Sequence, residues 1–123
     1  YIIPEGNCVV NPKRKDCNYP FKSLCGAGVA FKFIEELYRQ FNIPKSEAIE
    51  LLQYVAIAIV CDVVDLVDEN RIMLKKGLEL KVPYELTWSC YEGGDKPCMK
   101  CGTCIDRMKA FEANNVKDPV LGE

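Results

Sequence analysis

Four cysteines close to one end of the chain carry the clearest chemistry. Cys90, Cys98, Cys101 and Cys104 follow the pattern Cys-x7-Cys-x2-Cys-x2-Cys, while the other four, Cys8, Cys17, Cys25 and Cys61, are scattered at unrelated intervals. Zinc takes four soft donors in a tetrahedron, and two-residue separations let successive thiolates converge on one ion. Gly93-Gly94 gives the longer arm the freedom to fold back, and Lys96 and Lys100 can offset the charge of a tetrathiolate centre. Four sulfurs leave no open position for water, so the expected role is structural. An iron–sulfur cluster or two disulfides would also use four cysteines, but the bacterial iron–sulfur spacing differs and the clustering disfavours a disulfide frame.

Other candidates are thinner. Asp62, Asp65 and Asp68 could gather a hard cation such as Mn²⁺ or Mg²⁺, against the plainer reading of a solvated turn. Asp62 follows a wholly apolar stretch, which places its carboxylate beside the core and in need of a metal or a donor. Lys13-Arg14-Lys15 is a candidate phosphate contact, although three basic residues more often make a wet loop. Gly26-Ala27-Gly28 lacks the third glycine and the long preceding strand of a nucleotide loop. Trp88 is expected to pack against the cysteine module. Histidine is absent, which excludes a Ser-His or Cys-His hydrolase and any imidazole ligand or base. The net charge of −2 gives no global case for binding nucleic acid.

The elements that must position these groups are mainly helical. Periodicity predicts helices over 24–41, 47–60, 69–80 and 105–113. The first should bury Val29, Phe33, Leu37 and Phe41, and the second Ile49, Leu52, Val55, Ala56 and Ile59, with 55–60 buried on several sides. The third should use Ile72, Leu74 and Leu78, and the fourth Ile105, Met108 and Phe111. Ser46 is the expected N-cap of the second helix, and Asn114-Asn115 can close the last. Cys8 to Val10 reads as a short strand and Tyr84 to Trp88 as extended, with Asp118-Pro119 opening a loose tail. The fold class is thus α+β, about four helices with one or two short strands and a four-cysteine module. Two pieces are expected, 1–80 and 81–123. The longest uncharged apolar run, 54–61, is too short to cross a bilayer. The start at Tyr1 suggests a trimmed or incomplete product.

Two resemblances appear. Val9-Val10-Asn11-Pro12-Lys13-Arg14, Asp16-Cys17, Tyr19-Pro20-Phe21-Lys22, Leu24 to Lys32, Asp62-Val63-Val64-x-Leu66 and Glu69-Asn70-Arg71-Ile72 resemble RecJ-type single-strand-specific exonucleases of the DHH phosphoesterase superfamily. That resemblance implies a manganese ligand at Asp62, although Asp65 stands where the family usually has proline. Val82-Pro83-Tyr84-Glu85-Leu86-Thr87-Trp88-Ser89-Cys90-Tyr91-Glu92-Gly93-Gly94, the three later cysteines and Asp118-Pro119 resemble the end of a QueC-type 7-cyano-7-deazaguanine synthase. This second resemblance makes Cys90, Cys98, Cys101 and Cys104 zinc ligands. The two would join near 78–81, as in a chimera.

Neither active site implied by these families is complete. The Asp-His-His motif of the exonucleases is missing, and one leftover carboxylate cannot hold two cations. The Ser-Gly-Gly-x-Asp-Ser phosphate loop of the synthases is also missing, since only Gly93-Gly94-Asp95 occurs. The expected function is therefore a cytoplasmic, zinc-binding, non-catalytic interaction protein with a protein partner, such as a small inhibitor or antitoxin-like chain. One alternative is a residual exonuclease or nucleic-acid binder using manganese or magnesium. Another is a remnant of queuosine-precursor synthesis. Exposed apolar helix faces could also drive self-association.

Overall fold

The computed structural model describes residues 2–62 and 64–122. Its elements in chain order are α1 (Gly26–Gln40), α2 (Lys45–Glu50), α3 (Leu52–Cys61), α4 (Asp68–Glu79), a 3-10 turn at Tyr84–Leu86, α5 (Gly102–Glu112) and a second 3-10 turn at Pro119–Leu121. Helix α2 runs into α3 through Leu51, which keeps helical angles and swaps to i→i+3 bonds, Leu51 N–H to Ala48 O at 3.0 Å and Tyr54 N–H to Leu51 O at 3.1 Å. The two together occupy the stretch expected as one helix.

Among the described residues there is no strand. Residues 8–10 have no neighbouring backbone ladder, and 84–86 coil into the 3-10 turn, because burying Tyr84 bends the chain where proline at 83 already breaks it.

The long helices end alike. Ile43 N–H bonds Tyr38 O at 2.9 Å, Val82 N–H bonds Gly77 O at 3.0 Å, and Val116 N–H bonds Phe111 O at 3.0 Å. Between each pair a residue sits in the left-handed region: Asn42 (φ 56°), Lys81 (φ 59°) and Asn115 (φ 56°). These are 6→1 closures that satisfy the last carbonyls. Asparagine tolerates this conformation, so the breaks expected at Asn42 and Asn114-Asn115 are well placed. Helix α1 opens on Cys25, whose Sγ accepts from Gly28 N–H at 3.4 Å. Helix α2 starts at Lys45 after Pro44, with no side-chain cap, so Ser46 lies inside the helix and does not cap it. Pro44 itself occupies the N-cap position and offers no side-chain acceptor to the first amides of α2.

Helix α3 is central. Leu52, Val55 and Ile59 meet Leu24, Cys25, Phe31, Ala48 and Met73 on one side. Ala56 and Val60 meet Leu74, Val82, Tyr84, Ala110 and Phe111 on the other. The second cluster draws residues from both sides of position 80, so the cysteine-bearing part and α3–α4 share one core. Burial of α3 on several sides is as its composition implies.

The stripe expected for α1 turns outward, whereas α4 keeps Leu74 and Leu78 in the core and α5 keeps Phe111 there. In α1 the buried residues are Gly28 and Phe31, and Phe33, Leu37 and Phe41 face solvent. In α4 the buried set is Asn70, Met73, Leu74 and Gly77, with Ile72 exposed. In α5 it is Cys104, Arg107, Ala110 and Phe111, with Ile105 exposed. Periodicity finds an apolar face but cannot see that a polar residue with a buried partner, such as Asn70 or Arg107, belongs to the inner one.

Asn70 clamps the turn before α4. Its amide donates to Ser23 O at 2.9 Å and Asp65 O at 2.8 Å. Beside it Tyr19 donates its hydroxyl to the Glu69 carboxylate at 2.7 Å, and Lys32 lies 2.7 Å from the same group. Partial burial opposes ionisation of Glu69, but the Lys32 ammonium and the Tyr19 hydroxyl outweigh it and hold the carboxyl below its ordinary range.

Candidate metal centre

Three segments bring the four sulfurs together. Cys90 follows the 3-10 turn and Thr87, Cys98 and Cys101 lie on the tight loop leading to α5, and Cys104 sits in the first turn of α5. Their Sγ atoms all lie within 4.8 Å of one another, and Cys98 and Cys104 are 3.9 Å apart. Sulfurs about 2.3 Å from a tetrahedral ion would be separated by roughly 3.8 Å, so the donor set fits one zinc-sized cation. Cys90 and Cys104 are buried and the other two half-buried, which makes a closed first shell with little access for water.

The loop is built to carry negative sulfur. Cys98 N–H donates to Cys90 Sγ at 3.4 Å, and Cys101 N–H donates to Cys98 Sγ at 3.3 Å. Thr103 Oγ1 lies 3.1 Å from Cys101 Sγ. Cys101 is also the N-cap residue of α5, so the free amides and the positive end of that helix face the cluster. The Thr103 hydroxyl, followed by the Cys104 backbone N–H, brings the Cys101 thiol down to about 6. The Cys98 N–H lowers Cys90. Burial, reinforced by the neighbouring Cys101, pushes Cys104 up to about 12. Four thiolates this close repel one another, and a bound divalent cation removes that conflict.

Met99 pays for the shape of the loop in backbone conformation. It lies between two of the sulfurs at φ 61°, a region where an L side chain costs about 1–2 kcal/mol. Glycine has no such cost, though it loses more freedom on folding. Met99→Gly is expected to raise the thermal midpoint of the chain, with a net gain of up to about 1 kcal/mol. An unchanged or lowered midpoint would show that Met99 contributes packing that outweighs the strain.

A second group, missed in the sequence, locks this module to the core. Arg107 and Asp118 are both buried and form a two-pronged pair, Nε to Oδ2 at 2.6 Å and Nη2 to Oδ1 at 2.9 Å. The guanidinium also donates to Thr87 Oγ1 at 2.8 Å and Tyr84 O at 3.0 Å, and lies 5.3 Å from the Phe111 ring centroid. The tail expected to be loose is therefore fixed, and Val120 N–H adds a bond to Asp118 at 3.1 Å. The only sequence signal for this pair is an arginine among the apolar positions of α5. Trp88 is half-exposed and donates its indole N–H to Cys90 O at 2.9 Å, so it does touch the module.

The remaining sequence candidates do not assemble. Asp62 is exposed at the end of α3 and not beside the core, Asp65 and Asp68 are exposed as well, and among the described residues only the four cysteines make a metal-ligating group. Val63, inside the same motif, lies outside the described residues. Arg14 is committed internally, bonding Asp16 Oδ1 at 2.9 Å and Val9 O at 2.8 Å, which leaves Lys13 and Lys15 as exposed side chains on the basic loop. No described helix is long and apolar enough to cross a membrane.

Comparison with known proteins agrees with the cysteine cluster. Residues 32–115 match the family described as queuosine biosynthesis protein QueC. The 7-cyano-7-deazaguanine synthase of Archaeoglobus fulgidus is 65% identical over 51 residues, covering 42% of this chain and 21% of that protein. The synthases of Caldicellulosiruptor bescii and Caldicellulosiruptor saccharolyticus are 43% and 44% identical over 82 residues, in each case 67% of this chain and 36% of the relative. The chain thus spans between a fifth and two fifths of the length of these relatives. No solved structure matches. The family match runs straight through residues 78–81, where a join between two families is expected from the sequence, and the comparisons give no support to an exonuclease segment or a chimera. On the extent of that match, the chain belongs to the QueC family of queuosine biosynthesis proteins.

Proposed function

We propose that this chain serves 7-cyano-7-deazaguanine synthesis as a zinc-stabilised structural part of the synthase, in a reducing cytoplasmic compartment. The observation that carries the reading is a family match that encloses four convergent sulfurs. Zinc, held by Cys90, Cys98, Cys101 and Cys104, supplies folding free energy there. The residues around it hold shape: α5 is anchored at one end in the sulfur loop and at the other in the core shared with α3 and α4. The phosphate-binding loop of the family is not in this sequence, so the nucleotide-handling groups come from another chain or segment. An inhibitor or antitoxin role has no support from the relatives.

Two measurements test this together. Elemental analysis of the purified chain is expected to give one zinc per chain, with a large fall in thermal midpoint after chelation and loss of zinc in Cys104→Ser. The chain alone is expected to form no 7-cyano-7-deazaguanine, and to restore its formation when mixed with a synthase lacking its own four-cysteine segment. A zinc-free chain with an unchanged midpoint, or no restoration by zinc-loaded chain, overturns the proposal.

The resemblance of residues 9–80 to RecJ-type exonucleases supplies a second reading, in which that segment is a residual single-strand exonuclease with Asp62 as a manganese ligand. Residues 9–31 lie outside the family match, and their contacts to Glu69 and Asn70 bring the resembling motifs together. Manganese-dependent cleavage of single-stranded DNA, lost in Asp62→Ala, would carry it, and no cleavage would remove it.

A further inference from the structure

The four sulfurs are not held alike. Cys98, Cys101 and Cys104 lie on one tight loop and the first turn of α5, so local structure spaces them. Cys90 stands apart, at the far end of the arm 91–97. Residues 91–96 are exposed, and Gly93 (φ 70°) and Gly94 (φ 112°) sit in the left-handed region. Among the described residues no backbone-to-backbone bond ties down 91–97. The bond from Cys98 N–H closes on Cys90 Sγ only once that sulfur is in place. The arm therefore leaves the position of Cys90 open, and it must be set from upstream.

Upstream, one side chain holds the segment. Arg107 lies one turn beyond Cys104 on the buried face of α5. Its Nη2 donates to Tyr84 O at 3.0 Å, and its Nη1 donates to Thr87 Oγ1 at 2.8 Å and Thr87 O at 3.3 Å. The Thr87 hydroxyl in turn donates to Tyr84 O at 2.7 Å, which closes the turn from which 88–90 departs. Asp118 takes the other edge of the guanidinium and keeps its plane from rotating. The Trp88 indole, bonded to Cys90 O at 2.9 Å, stiffens the last step. The remote ligand and the helical one are thus both referred to a single buried group.

We propose that Arg107, acting through Thr87, is a positioning residue of the metal centre, setting Cys90 against the other three cysteines before the ion arrives. The inference rests on the zinc reading above and adds what pre-forms the site. Outer partners that orient ligands without touching the ion are typically worth about 10–100-fold in metal affinity.

Thr87→Val in the full chain tests it, because it removes the hydroxyl between guanidinium and turn and leaves the Arg107–Asp118 pair intact. Zinc affinity, read by competition with a chromophoric chelator, is expected to fall about tenfold or more. In the zinc-loaded variant, iodoacetamide is expected to modify Cys90 ahead of Cys98, Cys101 and Cys104, as mapped by peptide mass. Thr87→Ser keeps the hydroxyl and is expected to retain wild-type affinity. Ile59→Val opens a small cavity in the other core cluster, lowers the thermal midpoint, and is expected to leave both readouts unchanged. A wild type that binds no zinc removes the metal reading itself. Zinc bound equally well by wild type and Thr87→Val, even alkylation of the four cysteines, or the same losses in Ile59→Val overturns this proposal alone.

Discussion

Arg107→Ala is expected to cost about 3–5 kcal/mol, a large fraction of the about 5–15 kcal/mol that stabilises a typical domain. The loss is large because of what remains. Asp118 stays buried with its charge uncompensated, and the Thr87 hydroxyl and the Tyr84 carbonyl each lose a donor. Asp118→Ala should be comparably damaging, since it strands the guanidinium in the same place. A paired replacement, Arg107→Met with Asp118→Leu, should recover most of the loss, because two apolar side chains of similar volume leave no orphaned charge. Urea titrations of the four proteins decide the matter. If the double variant is no better than the singles, the value of Arg107 lies in its bonds to residues 84–87 and not in the ion pair.

Gly77→Ala should be destabilising even though alanine is the better helix former by about 1 kcal/mol. A Cβ at position 77 would stand 2.2 Å from Tyr84 Oη and 2.3 Å from Ala56 Cβ, so α4 would have to move off α3 and Tyr84 would have to shift with it or give way. Tyr84 cannot yield cheaply. It is almost wholly buried, its ring meets Phe111 edge-on at 5.2 Å, and its hydroxyl points at Leu74 O at 3.4 Å. Overpacking of this kind costs about 1–3 kcal/mol or more. In a background of Ala56→Gly with Tyr84→Phe the same substitution should be nearly neutral or favourable, since both obstacles are gone. Equal penalties in the two backgrounds, measured by thermal denaturation, would place the clash elsewhere.

How much of this could be read from the residues varies with the kind of signal. The four cysteines announced themselves because thiolates at short spacing have few other uses. The helix ends are legible to within a residue or two, since Asn42 and Asn114-Asn115 punctuate them strongly, but the starts are less so: α5 begins at Gly102 and not at 105. The inward face is legible throughout α3, where the whole circumference is apolar, and in part in α4 and α5, where Leu74, Leu78 and Phe111 join the core. In α1 the stripe at 33, 37 and 41 is real, but Gly28 and Phe31 turn the opposite side to the core. Asp62 followed an apolar run, yet α3 ends there and releases it to solvent. The Arg107–Asp118 pair was hidden because each member looks like a surface charge until the chain between them folds back.

Helix α5 has its first turn among the sulfurs and its last turns, at Ala110 and Phe111, inside the apolar cluster with Ala56 and Leu74. Eleven helical residues span about 16 Å. Under the proposed reading, occupancy at one end of that rod is therefore felt at the other as tightness of packing. Metal supply and resistance to unfolding become one thermodynamic quantity, so zinc scarcity would register in a cell as shortened lifetime of the polypeptide.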